Sequence, residues 1–183
     1  MLVKRHIDAV VRFFANKVDA ERDDLVQATF LTITEAGQRY EGRSSFRVFL
    51  LGIANNLWLK HLRRRYGRAR SLDLDTVSLR ELSSSPSSVV ARNESQQRLL
   101  DALRLLPVNE QAALEGYYWD GLSAPELAEV LAIPEGTLRT RLRSARARIA
   151  KHLRRDQLLR SGRSRPASPP ATTPRTRRAP AAE

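Results

Sequence analysis

Between Gly136 and Arg155 the sequence carries eight lysines and arginines and no acidic residue. Arg139, Arg143 and Arg146 recur at steps of four and three, so a helix would gather them on one face. Thr140, Arg141 and Arg148 flank that face. A guanidinium fork grips phosphate or reads guanine through two parallel hydrogen bonds. Charged surface helices usually mix both signs, so a face of one sign points to a polyanion. On another side, Leu138, Leu142, Ala145, Ile149 and Leu153 step by four, three, four and four. That stripe predicts a helix anchored in a core, with its arginines turned outward.

The segment before this helix supplies its mounting. Ser123 and Glu126 have capping-box spacing, with Leu122 and Leu127 at the two staple positions. Pro125 falls in the first turn, where a missing N–H does little harm. The short helix is expected to run to about Ala132. Pro134 then disfavours helix at Ile133, and Gly136 is expected to supply unusual backbone angles. A short helix, a tight turn and a basic helix make a helix-turn-helix, the shape that enters the major groove.

Further elements follow from apolar periodicity. Ile7, Val10, Val11, Phe14 and Val18 mark a helix over 6–18. Asp19 is placed to cap the next one, which has Asp23 and Asp24 early and Leu25, Val26, Phe30 and Ile33 on its apolar side. "QRYEGRSS" breaks the pattern, and Ser44 or Ser45 caps a long helix from about 46 to 65. Its stripe is Phe46, Phe49, Leu50, Ile53, Leu57 and Leu62, and its end is basic: Lys60, Arg63, Arg64 and Arg65. Leu99, Leu103 and Leu106 mark a helix that Pro107 ends. Ala113, Leu114, Tyr117 and Tyr118 mark another, ending near Gly121. Nothing alternates as strands would.

The expected fold is therefore all-α, with two small helical domains joined by a flexible linker, the second a helix-turn-helix domain. The first domain takes residues 1–70 and the second 91–155. The Ser-rich stretch "SSSPSS" lies in the linker at 71–90. Residues 156–183 read as a disordered basic tail rich in proline and arginine.

Composition narrows the function. Thirty-two Lys and Arg against 20 Asp and Glu leave a net charge of +12, which favours an anionic partner such as nucleic acid. The absence of cysteine rules out disulfides and thiolate metal sites. His6, His61 and His152 are scattered without ligand spacing. No Gly-rich phosphate loop, carboxylate pair or nucleophile motif is present, so neither an enzyme nor a cofactor is expected. No apolar run reaches about 18 residues, and charges run through the first twenty. A cytoplasmic protein without membrane contact is the expectation.

Two motifs carry a family resemblance. "LPVNEQAALEGYYWDGLSAPELAEVLAIPEGTLRTRLRSARARI" resembles the fourth conserved region of sigma-70-type factors. "DDLVQATFLTI" and "RYEGRSSFRVFLLGIANNLWLKHLRRR" resemble the second. The order and spacing, with no other conserved region, are similar to the extracytoplasmic-function group of RNA polymerase sigma factors, over roughly residues 5–155. The resemblance implies core RNA polymerase and promoter DNA as partners, with an anti-sigma factor as a third. It implies that Asp24, Gln27 and Phe30 dock on polymerase. It implies that Tyr40, Gly42 and Ser44 form a loop that holds an unstacked base of the −10 element, with Asn56 beside it. Asn55, Asn56, Lys60, Arg63 and Arg64 then form a polar and basic track, as capture of single-stranded bases requires. Arg139, Thr140, Arg141, Arg143 and Arg146 would read the −35 element. Three positions depart from the family pattern: Ala28 and Arg43 where acids are usual, and Ser144 where a base is. A helix-turn-helix regulator that binds DNA without polymerase is the alternative, but it leaves the first motif unused.

Overall fold

The structure is a computed structural model that describes residues 2–18, 20–36, 40–67, 72–82 and 93–163. The described residues form the helices α1 (Leu2–Phe14), α2 (Arg22–Ala36), α3 (Phe46–Tyr66), α4 (Leu79–Leu82), α5 (Glu94–Arg104), α6 (Val108–Tyr118), α7 (Ala124–Val130) and α8 (Glu135–Arg163). The all-α class and the helix-turn-helix are as the sequence predicts.

In the first unit α3 is the central element. Ser45 caps it, its hydroxyl accepting from the Val48 N–H at 3.3 Å. Val48, Leu50, Leu51, Ala54, Trp58 and Leu62 are buried along it, in one cluster with Val10, Phe13 and Phe14 of α1 and Leu25 and Ile33 of α2. Trp58 meets Phe13 edge-on at 6.5 Å. Full burial of each large side chain contributes about 1.5–3 kcal/mol, so this face fixes α3 in place. The proposed cap Asp19 lies outside the described residues.

The second unit is α5 to α8. Asn93 caps α5 by accepting from the Gln96 N–H at 2.9 Å. At α7 the Glu126 carboxylate accepts from the Ser123 N–H at 2.9 Å and the Ser123 hydroxyl at 2.6 Å. Those bonds hold the Glu126 carboxyl below its usual range, the hydroxyl contributing most. Leu138, Leu142 and Ala145 are buried along α8, as their spacing requires.

Three expectations are corrected. The first concerns the linker. Residues 72–82 are not a free tether: Leu74 and Leu79 are buried, α4 forms, and Ser78 bridges to Pro107. Val108 N–H donates to Val77 O at 3.0 Å and Asn109 N–H to Leu74 O at 3.1 Å. Leucines spaced through a polar stretch found a core, which composition alone did not reveal. The rest of the expected linker, 83–92, lies outside the described residues. The second concerns the tail. Helix α8 continues through Arg163, with Asp156 and Arg160 paired one turn apart at 2.9 Å, so 156–163 are helical; 164–183 lie outside the described residues.

The third concerns the turn between α7 and α8. The residue with positive φ there is Ala132, at +52°, while Gly136 is already inside α8. Ala132 N–H donates to Glu129 O and Ile133 N–H to Ala128 O, each at 3.0 Å. That pair of bonds is the Schellman ending, whose left-handed position usually holds glycine.

The two units are also in contact. Their buried side chains form one continuous cluster, and α3 packs along α7.

Candidate nucleic-acid interface

Helix α8 presents its arginines unequally. Arg139, Thr140 and Arg143 are exposed. Arg139 is held by Glu135 one turn back, at 2.5 Å, and the Thr140 hydroxyl donates to Gly136 O at 3.1 Å. These residues sit in the first turns of the helix, the part that meets base edges in this motif. Arg146 is exposed but lies over the rings of Tyr117 and Tyr118, 5.6 Å from each centre. Arg141 is turned aside, with its guanidinium 3.0 Å from Asp75 in the inter-unit segment. The structure thus brings Arg139, Thr140 and Arg143 together, and sets Arg141 and Arg146 on the flanks.

Ser144 has its own anchor. Its hydroxyl donates to Glu110 Oε1 at 2.7 Å, and Arg148 Nε lies 3.2 Å from Glu110 Oε2. Glu110 is an acid against the basic helix that sequence inspection passed over. Its position on α6 follows from the same register that buries Gln111 and Leu114.

In the first unit the loop ahead of α3 is built around Tyr40. Its hydroxyl donates to Ser44 O at 2.6 Å. Its ring lies against Phe46 and Phe49, at 5.6 and 5.2 Å. Gly42 has φ +71° with nothing near its Cα hydrogen face, so the loop turns there without a side chain. Glu41 and Arg43 are ion-paired beside it. Tyr40, Glu41, Arg43, Ser44 and Phe49 line a hollow of about 230 Å³, together with Glu129 of α7. Along α3, Asn56, Lys60, Arg63 and Arg64 are exposed. Asn55 is not: it is buried, and its Oδ1 has no hydrogen-bond partner among the described residues. Asn55 falls on the same stripe as Leu51, Trp58 and Leu62, so in this arrangement it does not extend the track.

On α2, Asp24 and Gln27 are exposed and Phe30 is partly buried against the core. Leu31, one turn beyond Gln27, is 56% exposed. The sequence reading missed it, although Asp24, Gln27 and Leu31 fall at i, i+3 and i+7. Ala28 and Asp24 line a hollow of about 260 Å³ with Leu57, Lys60, His61 and Arg64 of α3. Burial, and then the neighbouring Arg64, push the His61 imidazole below its usual range.

The family model for sigma-70 region 2 matches residues 2–68, and that for sigma-70 region 4 matches residues 96–149. The RNA polymerase sigma factor HrpL of Pseudomonas syringae pv. syringae is 30% identical over 134 residues, which cover 72% of each chain. The chain belongs to the sigma-70 family of RNA polymerase sigma factors. Within it, the match to the ECF RNA polymerase sigma factor BldN of Streptomyces coelicolor, 31% identical over 143 residues, points to the extracytoplasmic-function group. That alignment covers 76% of this chain and spans about half, 54%, of BldN. Among solved structures, the sigma factor RpoE of Bartonella quintana, in complex with the anti-sigma factor NepR, superposes with a TM-score of 0.64. It is 20% identical, with 84% of this chain and 94% of that chain covered; at that identity the likeness concerns the fold. This sigma factor therefore places its region 4 arginines on α8 and its region 2 loop ahead of α3.

Proposed function

We propose that this sigma factor binds core RNA polymerase and directs it to promoters read at two elements. The observation that carries the proposal is the pairing of two different nucleic-acid surfaces in one chain: an aromatic-walled loop beside exposed Asn56, Lys60, Arg63 and Arg64, and a helix-turn-helix with exposed Arg139, Thr140 and Arg143. The first suits an unstacked single strand; the second suits duplex major groove. A regulator that only bound duplex DNA would have no use for the first.

In this proposal α2 is the polymerase contact, through Asp24, Gln27, Phe30 and the exposed Leu31. The hollow by Tyr40, Gly42 and Ser44 receives a −10 base, with Asn56 at its side. Arg139, Thr140 and Arg143 read the −35 element; Arg141 and Arg146 hold phosphate or position the helix. The protein acts in the cytoplasm, where polymerase and chromosome are, and performs no catalysis of its own. The structural neighbour RpoE is bound to an anti-sigma factor, and a partner of that class belongs to the proposal.

Run-off transcription with purified core polymerase on a promoter library tests this directly. The expected result is initiation at a shared two-part motif that depends on the added protein. Binding of duplex DNA with no initiation from any template would favour the polymerase-independent regulator instead.

A further inference from the structure

The turn at 73–77 is built to hold one carboxylate. Asp73 Oδ1 accepts from the Asp75 N–H at 2.9 Å. Asp73 O accepts from the N–H groups of Thr76 at 3.2 Å and Val77 at 3.0 Å. The turn so formed serves α6. Pro107 precedes that helix and gives it no side-chain cap. Val77 O and Leu74 O instead take its first two N–H groups, those of Val108 and Asn109. Asp75 thereby stands beside the N-terminal end of α6, where a negative charge is favoured. Its Oδ1 accepts from Asn109 Nδ2 at 2.8 Å and from the Arg141 guanidinium of α8 at 3.0 Å.

Successive residues of a helix turn by about 100°. With Leu138, Leu142 and Ala145 in the core, that rotation sets Thr140 and Arg143 on the outward line of α8. Arg139 and Arg146, two turns apart, fall on one flank. Arg141 and Arg148, also two turns apart, fall on the other. A helix about 10–12 Å across fills a major groove about 12 Å wide, so its two flanks face the two phosphate backbones. Arg139 pairs with Glu135 of its own helix, and Arg146 lies over tyrosine rings that leave its charge unneutralised. The other flank meets acids brought from elsewhere in the chain, Asp75 for Arg141 and Glu110 for Arg148. The Arg148 side chain is still 55% exposed, whereas that of Arg141 is only 19% exposed. Among these flank arginines, Arg141 is the one drawn away from solvent.

We propose that Asp75 is a positioning residue for DNA reading: it occupies Arg141 as a phosphate would, and so withholds one backbone contact from α8. Non-specific affinity comes from phosphate contacts. One fewer of them leaves the base contacts of Arg139, Thr140 and Arg143 a larger share of the binding. The turn that carries Asp75 lies outside both matched family regions, at 2–68 and 96–149. The proposal rests on the duplex-reading role given to α8 above, and the test separates it from the sigma-factor function.

Asp75→Asn removes the charge and keeps an oxygen for Asn109. The full-length protein is titrated onto a mixed-sequence DNA duplex over a range of salt concentrations. Asp75→Asn should raise affinity about five- to tenfold at about 50 mM salt, and its salt slope should steepen by about 0.9, so that the gain shrinks about threefold by about 200 mM. Arg141→Ala alone should leave affinity and slope unchanged, and in the Asp75→Asn background it should erase the gain. A merely structural lesion would lower affinity rather than raise it. The inference is overturned if Asp75→Asn binds no more tightly than its parent. It is also overturned if the gain survives Arg141→Ala, since Asp75 would then only repel DNA. Should Asp75→Asn prove unfolded by circular dichroism, Arg141→Ala in the unaltered chain decides: an unchanged slope upholds the inference, and a slope shallower by about 0.9 overturns it. Run-off transcription by the unaltered protein with core polymerase is scored separately. A slope shift without initiation counts against the sigma-factor function alone, and initiation without a slope shift counts against Asp75 alone.

Discussion

At the scale of single residues, the arginines of α8 differ in what surrounds them. Arg139 is exposed in the first turns, and its Glu135 pairing is a surface interaction that DNA can displace. Arg139→Ala should relax preference at one −35 position, at a cost of about 1–3 kcal/mol if the contact is bidentate to guanine. Selection from a randomised −35 library at two salt concentrations reads this; a uniform loss with the motif unchanged would make Arg139 a phosphate contact. His61 offers a different test. Its folded-state pKa lies below the ordinary 6.5, through burial first and Arg64 second, so the unfolded chain binds more protons just below that value. Its contribution to stability is therefore complete above about pH 6.5 and lost as pH falls through the window beneath it. Urea midpoints should drop from pH 7.5 to 5.5, and His61→Gln should flatten the slope. An equal slope in the variant would mean that other groups set the acid side. The same-sign arginine face was legible because no acid interrupts it in sequence. What turns Arg141 aside was not, since Asp75 lies 66 positions away, in a stretch that read as linker. The burial of Asn55 was legible in principle: it shares a stripe with Leu51, Trp58 and Leu62.

At the scale of elements, the caps came through sequence because they depend on neighbours within four positions. Ser45 and the Ser123–Glu126 pair are such cases; Asn93, which caps α5, escaped notice in the irregular stretch after the serine-rich run. The turn after α7 was misassigned for a related reason. Glycine is the usual left-handed residue, so Gly136 drew the assignment, yet the backbone takes that angle at Ala132. An alanine there bears about 1–2 kcal/mol of strain. Ala132→Gly relieves it but gains entropy in the unfolded chain, worth about 0.4–1 kcal/mol the other way. The variant should be more stable by about 0.5–1 kcal/mol, seen as a higher urea midpoint with the same slope. A lower midpoint would mean that the methyl group of Ala132 has packing value that outweighs the strain. Helix α8 outran its expected end because Asp156 and Arg160 continue its ion-pair spacing, although proline-rich composition begins soon after.

At the scale of the molecule, the two helical units were legible and their contact was not. Periodicity identifies which face of a helix is apolar, but not which distant helix covers it; nothing in the sequence singles out Lys17 and Glu115, which pair in the interior across the two units. The chain carries one tryptophan in each unit, Trp58 in α3 and Trp119 after α6. Following each alone, in Trp119→Phe and Trp58→Phe proteins, should give coincident urea transitions, since the units share one buried cluster. Separate midpoints would mean that the contact between α3 and α7 adds little cooperativity. The position of α7 has a consequence for how such proteins diversify. Its seven residues serve three masters at once, packing on α6 and α8 within the second unit and on α3 of the first. Outward positions of α8, such as Thr140 and Arg143, are exposed and in the proposed function meet only DNA. Mutational drift should therefore rewrite promoter preference through α8 while α7 stays nearly frozen, leaving descendants that read new promoters from an unchanged scaffold.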